Sequence, residues 1–319
     1  MSRKIIKQVG IFLISIKLLR VILRKITGSA TFLSQKTKQK VIEKLESLAP
    51  EEIIKFYLKD LGIEFYYPNK SIIGLRACEF GYWNYYNTLL KFLSNPRTIV
   101  EVGSNIGIDT IFMSKKLKPK NKIIAFEPCI YYRIILKKNI AKNDIRNIKV
   151  YPYFVSSENN KKIKIYENLS SASAIQELSE FFPPYRSEIC NTITLDYFFT
   201  KKHQINSLDL IKIDTDGWDQ HVIEGSKKII SRFHPFLLIE FSGYALKKAS
   251  FSNFTLARLL NKLGYRFFIL MKDKKLNIIT GYKALLRLLD INTTSDVFAI
   301  HESKEFILNN YKRGQKKTI

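Results

Sequence analysis

The chain has 319 residues, 46% hydrophobic and 13% aromatic, enough for a filled core in one large domain with an accessory region or in two small domains. Three cysteines (Cys78, Cys129, Cys190) without a CxxC pair argue against a disulfide framework and a structural zinc site, and fit a reducing cytoplasm. A formal charge of +25, from 53 basic and 28 acidic residues, fits either coding bias toward Lys, Ile and Asn with mild surface attraction, or a polyanionic partner such as nucleic acid.

Residues 9–16, "VGIFLISI", follow Arg3, Lys4 and Lys7 and mimic a signal peptide. Lys17, Arg20, Arg24 and Lys25 then break the run, which is well short of the roughly 20 apolar residues of a spanning helix. The leading readings are a helix packed on its own domain or a partner, and a peripheral contact with anionic membrane at the inner face, with a cleaved or spanning segment as the remaining alternative. Residues 1–60 read as a helical extension, broken at Pro50 and stopped at Gly62. Residues 61–96 read as a hairpin, around the Pro-Asn of "IEFYYPNKSIIG", and a helix leading into the core.

From residue 97 the pattern becomes strand, helix, strand. Buried or alternating strands are predicted at 98–102, 122–128, 148–155, 161–167, 207–214, 236–241, 265–270 and 296–302. Helices are predicted at 108–117, 129–142, 218–231 and 252–263. Short apolar runs separated by helices mean an α/β domain over residues 97–302, its parallel sheet covered on both faces. Residues 303–319 form a basic tail. Ligands of such sheets lie beyond the C-terminal strand ends, where the strand order reverses.

The first of those strands ends in "EVGSNIG", residues 101–107. Gly103 lets the chain turn off the strand, and Gly107 lets a helix start close to a ligand. A dinucleotide fingerprint needs G-x-G-x-x-G, but Asn105 and Ile108 occupy its second and third glycine positions. An acid before G-x-x-x-G suits a cofactor carrying adenosine and a sulfonium. Glu127, ending the second strand, is placed to accept both ribose hydroxyls.

The segments "TIVEVGSNIGIDTIFM", "IIAFEP", "TITLDYF", "LDLIKIDTDGWDQHVIEGS" and "HPFLLIEF" occur in the order and spacing of the FkbM-type S-adenosylmethionine-dependent methyltransferases, which this sequence resembles from about residue 97 to 302. The resemblance implies a Rossmann-like class I fold, a mostly parallel seven-stranded sheet with one antiparallel strand. It also implies methyl transfer from S-adenosylmethionine, often to a hydroxyl of a sugar, glycan or natural product. Carried across, Glu101, Gly103, Ser104, Asn105, Gly107 and Glu127 line the cofactor site. Asp216 and Asp219 stand where many members have Glu, and Trp218 where a small residue is common.

"IKIDTDGWDQH", residues 211–221, holds three aspartates. The spacing fails a calcium loop, since Gly217 directly follows the second acid and Gly225 stands where the closing Glu belongs. Asp216 and Asp219 suit caps for the following helix. Asp214 ends its strand on the edge that carries the cofactor loop, with Glu240 nearly ending the next. Neighbouring strand ends lie about 5 Å apart, and two carboxylates that close raise one pKa or recruit a cation. Asp214 is the first choice of base for a hydroxyl acceptor, with Glu240 as partner and His221 as the second choice. No dedicated metal site is assigned.

"FFPPY", residues 181–185, resembles the Pro-Pro-aromatic motif of amino-group methylases, but falls well before the strand that motif should follow. It reads better as part of a lid with residues 168–177, which disfavours a nucleic-acid methylase. Two rival functions share the fold: a nicotinamide oxidoreductase, whose glycines are missing, and a non-catalytic Rossmann-like binding module.

Overall fold

The computed structural model describes residues 53–58, 62–68, 89–90, 92–93, 96–117, 120–167, 171–179, 186–272, 275–289, 294–307 and 309. Two strands, β1 (Ile53–Leu58) and β2 (Ile63–Pro68), pair antiparallel across Gly62, whose φ of +61° makes the turn. Residues 53–58 were expected to be helical. Their run IIKFYL carries β-branched and aromatic side chains that favour a pleated surface, and pairing with β2 overrides the helical spacing before it. The expected Pro-Asn turn, the strand beyond it and the apolar N-terminal run lie outside the described residues.

The main sheet contains β3 (Thr98–Val102), β4 (Lys122–Phe126), β5 (Ile148–Tyr151), β10 (Leu210–Ile213), β11 (Phe236–Ser242), β12 (Tyr265–Lys272), β13 (Lys275–Thr280) and β14 (Thr294–His301). Their order is β13-β12-β14-β11-β10-β3-β4-β5. The block from β11 to β5 is parallel, and β14 runs antiparallel between β11 and β12. This is the expected seven-stranded class I sheet, with β13 added as an outer hairpin strand.

Alternation along the strands builds two cores. Ile99, Ile123, Leu210 and Leu238 pack with α1 (Ile108–Lys116), α2 (Ile130–Lys142) and the β1–β2 hairpin. Val100, Ile124, Ile211 and Leu237 face the other layer. That layer contains α3 (Asp219–Glu224), α4 (Lys227–Phe233), α5 (Gly243–Lys248), α6 (Asn253–Lys262) and α7 (Tyr282–Leu288). Each fully buried Val, Leu, Ile or Phe contributes about 1.5–3 kcal/mol, which is why the buried positions of these strands are mostly apolar.

Two expected elements are divided. The strand over 148–155 stops at Tyr151, because Pro152 has no amide to donate; β6 (Phe154–Val155) then pairs elsewhere. The helix over 218–231 breaks between α3 and α4 at Gly225, where a Cβ would lie 2.1 Å from the carbonyl oxygen of Ser156. The insertion between β5 and β10 forms a second sheet, in which β7 (Lys162–Glu167) pairs antiparallel with β8 (Ala172–Ser173) and β9 (Arg186–Ile193), and β9 pairs parallel with β6. The start of the basic tail packs on the domain, Lys304 Nζ donating to the carbonyl of His234 at 2.6 Å.

Candidate functional site

The strand order reverses between β3 and β10, and the loop after β3 lies over that point. Gly103 has φ +83°, and a Cβ there would sit 1.8 Å from the carbonyl oxygen of Asp214. Both facts require glycine: the loop crosses the end of β10 backbone on backbone. The amides of Gly103 and Ser104 both donate to the carbonyl of Phe126 at 3.1 Å, tying the loop to the end of β4. Asn105 is left-handed, with φ +50°. Gly107 also has positive φ, but its Cβ position is filled by Leu136 of α2, 2.2 Å away. Packing of α2 against the loop therefore also requires glycine at this position.

Glu127 follows β4 and is 4% exposed. Its carboxylate accepts the amides of Asn105 at 2.7 Å and Cys129 at 2.9 Å. Burial pushes its pKa up to about 7, against the pull of those amides and of Arg133. Arg133 Nη1 donates to the carbonyls of Glu127 and Pro128 at 2.8 and 2.6 Å, fixing the segment. A carboxylate has about four lone-pair sites; two amides leave acceptor capacity for a ligand's hydroxyls.

Glu101 is the acid before the glycine loop, expected to line the cofactor site. It is 1% exposed and receives the hydroxyl of Thr110 in α1. In register across β10 stands Lys212, buried on the same sheet face. Lys212 Nζ lies 3.5 Å from Glu101 Oε1, 3.1 Å from Asp109 Oδ2 and 3.2 Å from Asp214 Oδ2. Burial raises Glu101 to about 7, with Lys212 opposing. Glu101 thus holds the loop from beneath. Lys212 escaped the sequence reading inside the run "LIKI", although a lysine within a doubly covered strand must find acidic partners.

Asp214 is the open end of this network, its side chain 42% exposed. Ile213 registers with Ile239, so Asp214 and Glu240 occupy successive positions on adjacent parallel strands, as expected. Burial, then Asp214, Asp216, Asp219 and Asp296, raise Glu240 well above the usual carboxylate range. Asp296, in register with Glu240 on β14, was not foreseen; only the antiparallel pairing brings it there. Asp216 is left-handed, and burial and Asp214 raise it to about 6, with the Ser171 hydroxyl opposing. Ser171, within the expected lid, therefore meets this edge; residues 168–170 and 180–185 lie outside the described set.

The cap expectation needs correction. The N-cap residue of α3 is Trp218, which makes no side-chain cap. Asp219 instead folds back onto the turn, accepting the amides of Gly217 at 3.1 Å and Thr215 at 3.3 Å, and burial raises it to about 7. His221 meets Ser157 Oγ at 3.1 Å and Glu224 at 3.7 Å, and its ring packs on Trp218 and Phe251. None of these partners belongs to the acidic edge, and burial lowers its pKa. Among the described residues, no three His, Cys, Asp or Glu side chains are grouped as metal ligands. No helix there is long and apolar enough to cross a membrane.

The inserted sheet leans on the segment beside Glu127. Ile130 donates its amide to Glu188 at 2.7 Å, and the buried free thiols of Cys129 and Cys190 point to Glu167 and the carbonyl of Pro128.

Residues 101–267 match the family model described as the methyltransferase FkbM domain. Methyltransferase sdnD of Sordaria araneosa is 26% identical over 159 residues, covering 41% of this chain and 61% of that protein. The chain therefore matches less than two thirds of that relative's length. Among solved structures, methyltransferase FkbM from Methylobacillus flagellatus aligns with 16% identity over 64% of this chain and 44% of its own, at a TM-score of 0.40. A putative O-methyltransferase from Klebsiella pneumoniae aligns with 11% identity over 89% and 96%, at a TM-score of 0.41.

Proposed function

Since this chain belongs to the FkbM family of S-adenosylmethionine-dependent methyltransferases, its family model spanning more than half of the sequence, we propose that it transfers a methyl group to a hydroxyl of a sugar, glycan or related natural product. The carrying observation is the Glu127 carboxylate, buried at the end of β4 and held by the loop amide of Asn105 with acceptor sites to spare. That donor set fits the cofactor. When bound, S-adenosylmethionine supplies an electrophilic methyl group on a sulfonium.

The chain's residues do the rest. Glu127 accepts the ribose hydroxyls and orients the nucleoside. Gly103 and Asn105 shape the loop beside it, while Glu101, through Lys212 and Thr110, fixes that loop to β10 and α1. Displacement at a methyl group is in-line, so alignment of the acceptor oxygen is the main contribution. Asp214, solvent-reachable and oriented by Lys212, takes the acceptor's proton. Glu240, raised by its acidic neighbours, shares that proton at the same edge. His221 is left to hold α3 against the loop after β6. A hydroxyl acceptor is favoured because the edge offers carboxylates that bond polyols. The Pro-Pro-aromatic stretch does not follow β10, where an amino-group methylase of nucleobases would carry it.

Calorimetric titration with S-adenosylmethionine and with NADH tests the cofactor. Labelled methyl transfer to a panel of glycans and polyols, with oligonucleotides and amines as competing acceptors, tests the rest. Transfer to an amine or nucleobase alone sinks the hydroxyl reading.

A further inference from the structure

The β1–β2 hairpin is fastened to α2 by two asparagines one helical turn apart. Asn139 is 0% exposed. Its Oδ1 accepts the amide of Tyr66 at 2.7 Å, and its Nδ2 donates to the carbonyls of Tyr66 at 3.0 Å and Ile106 at 2.8 Å. Asn143 repeats the pattern at Glu64: Oδ1 accepts the amide at 3.0 Å, and Nδ2 donates to the carbonyl at 2.7 Å. Its second donor contact is the Asn139 carbonyl, at 2.8 Å. The spacing explains the match. Two strand residues advance about 6.8 Å and four helical residues about 6 Å, so carboxamides at i and i+4 read a strand edge as a neighbouring strand would.

The two asparagines differ in one respect. Asn139 alone reaches the loop, holding the carbonyl of Ile106, a residue flanked by left-handed Asn105 and Gly107. That backbone sequence is sparsely populated and needs external bonds to persist. Both donors of the Asn139 amide are used, so its orientation is fixed. From Ile106 the chain runs directly back to the Asn105 amide that meets Glu127.

We propose that Asn139 is a positioning residue for cofactor binding, and that the N-terminal hairpin is the brace that locks its side chain. Resting on the S-adenosylmethionine reading, this gives β1 and β2 a role in function, since they hold the loop in its binding shape before the cofactor arrives. A mobile loop would spend part of the binding energy on its own ordering.

The test compares Asn139→Leu with Asn143→Leu in the full chain. Both cut the hairpin latch, and only the first frees Ile106. S-adenosylmethionine affinity is measured by calorimetry and stability by urea unfolding. Asn139→Leu is expected to weaken binding about tenfold or more, the effect of an unsatisfied buried carbonyl in the loop. Asn143→Leu is expected to lose comparable stability yet bind within about twofold of the parent. Asn139→Asp, which keeps the acceptor for Tyr66 but cannot donate to Ile106, follows Asn139→Leu in affinity and serves if the leucine variant does not fold. Equal affinity losses in the position 139 and 143 variants mean general loosening and overturn the proposal, as does no loss in either. If the unmodified chain binds no S-adenosylmethionine, the cofactor reading fails first and this proposal with it.

Discussion

Replacing Lys212 with methionine removes the cation from among three carboxylates while keeping the stem's volume. Lys212 is 6% exposed and Glu101 is 1% exposed, so that pair is buried; Asp214, 42% exposed, is partly solvated and loses less. Breaking a buried pair by removing one partner costs about 3–5 kcal/mol. Glu101 lowers that figure by taking up a proton, since burial already holds it near 7. The sign follows from linkage. A carboxyl whose folded pKa lies above its unfolded value loses stability as pH rises from the unfolded value through the folded one. In the parent that loss runs from about 4.5 to 7. Without Lys212 the folded pKa rises further, and the loss extends to higher pH. Between pH 6 and 8 the variant should fall behind the parent by about 1 kcal/mol more, at 1.36 kcal/mol per pKa unit. Urea unfolding at both pH values measures it, and adding Glu101→Gln should recover part of the loss at pH 8. A variant as stable as the parent at both pH values, or one that suffers more at pH 6, refutes the reasoning.

Glu127→Ala should weaken S-adenosylmethionine binding by about 1.5–3 kcal/mol in calorimetry, the worth of hydrogen bonds to a charged group; unchanged affinity in a folded variant would move the ribose site elsewhere. Gly103→Ala should destabilise by about 1–3 kcal/mol or more in thermal unfolding, because its Cβ meets the Asp214 carbonyl and its φ is left-handed. Asp214→Asn should lower kcat by about 10²–10⁴ once an acceptor is in hand, and normal turnover would shift attention to Glu240. Asp219→Ala should cost about 1–3 kcal/mol by leaving the amides of Thr215 and Gly217 unpaired, with turnover nearly intact.

The parallel strands were legible because both their faces are buried: short apolar runs closed by Gly, Pro or Asp admit few other structures. The glycine loop and Glu127 were legible for the same reason, being anchored to strand ends. What escaped was set by partners distant in sequence. Gly225 looks tolerable inside a helix until the Ser156 carbonyl is seen against it. Glu101 reads as a lone acid before the loop until Lys212 is seen beside its carboxylate. Residues 53–58 follow a helical pattern, and only β2 turns them into a strand. Asn139 of α2 and Asn143 at its C-terminal cap show no apolar period at all, because their partners are backbone groups far earlier in the chain.

The crossing of Gly103 over the Asp214 carbonyl has a geometric consequence. Main chain touches main chain there, so no exchange of side chains can lengthen or shorten the gap between the cofactor loop and the acidic edge. On the proposed mechanism, the reach from that loop to the Asp214 base is set by backbone alone. The strands of the inserted sheet carry no such backbone crossing with that loop in the described residues, so exchanges of their exposed side chains would leave the spacing as it is.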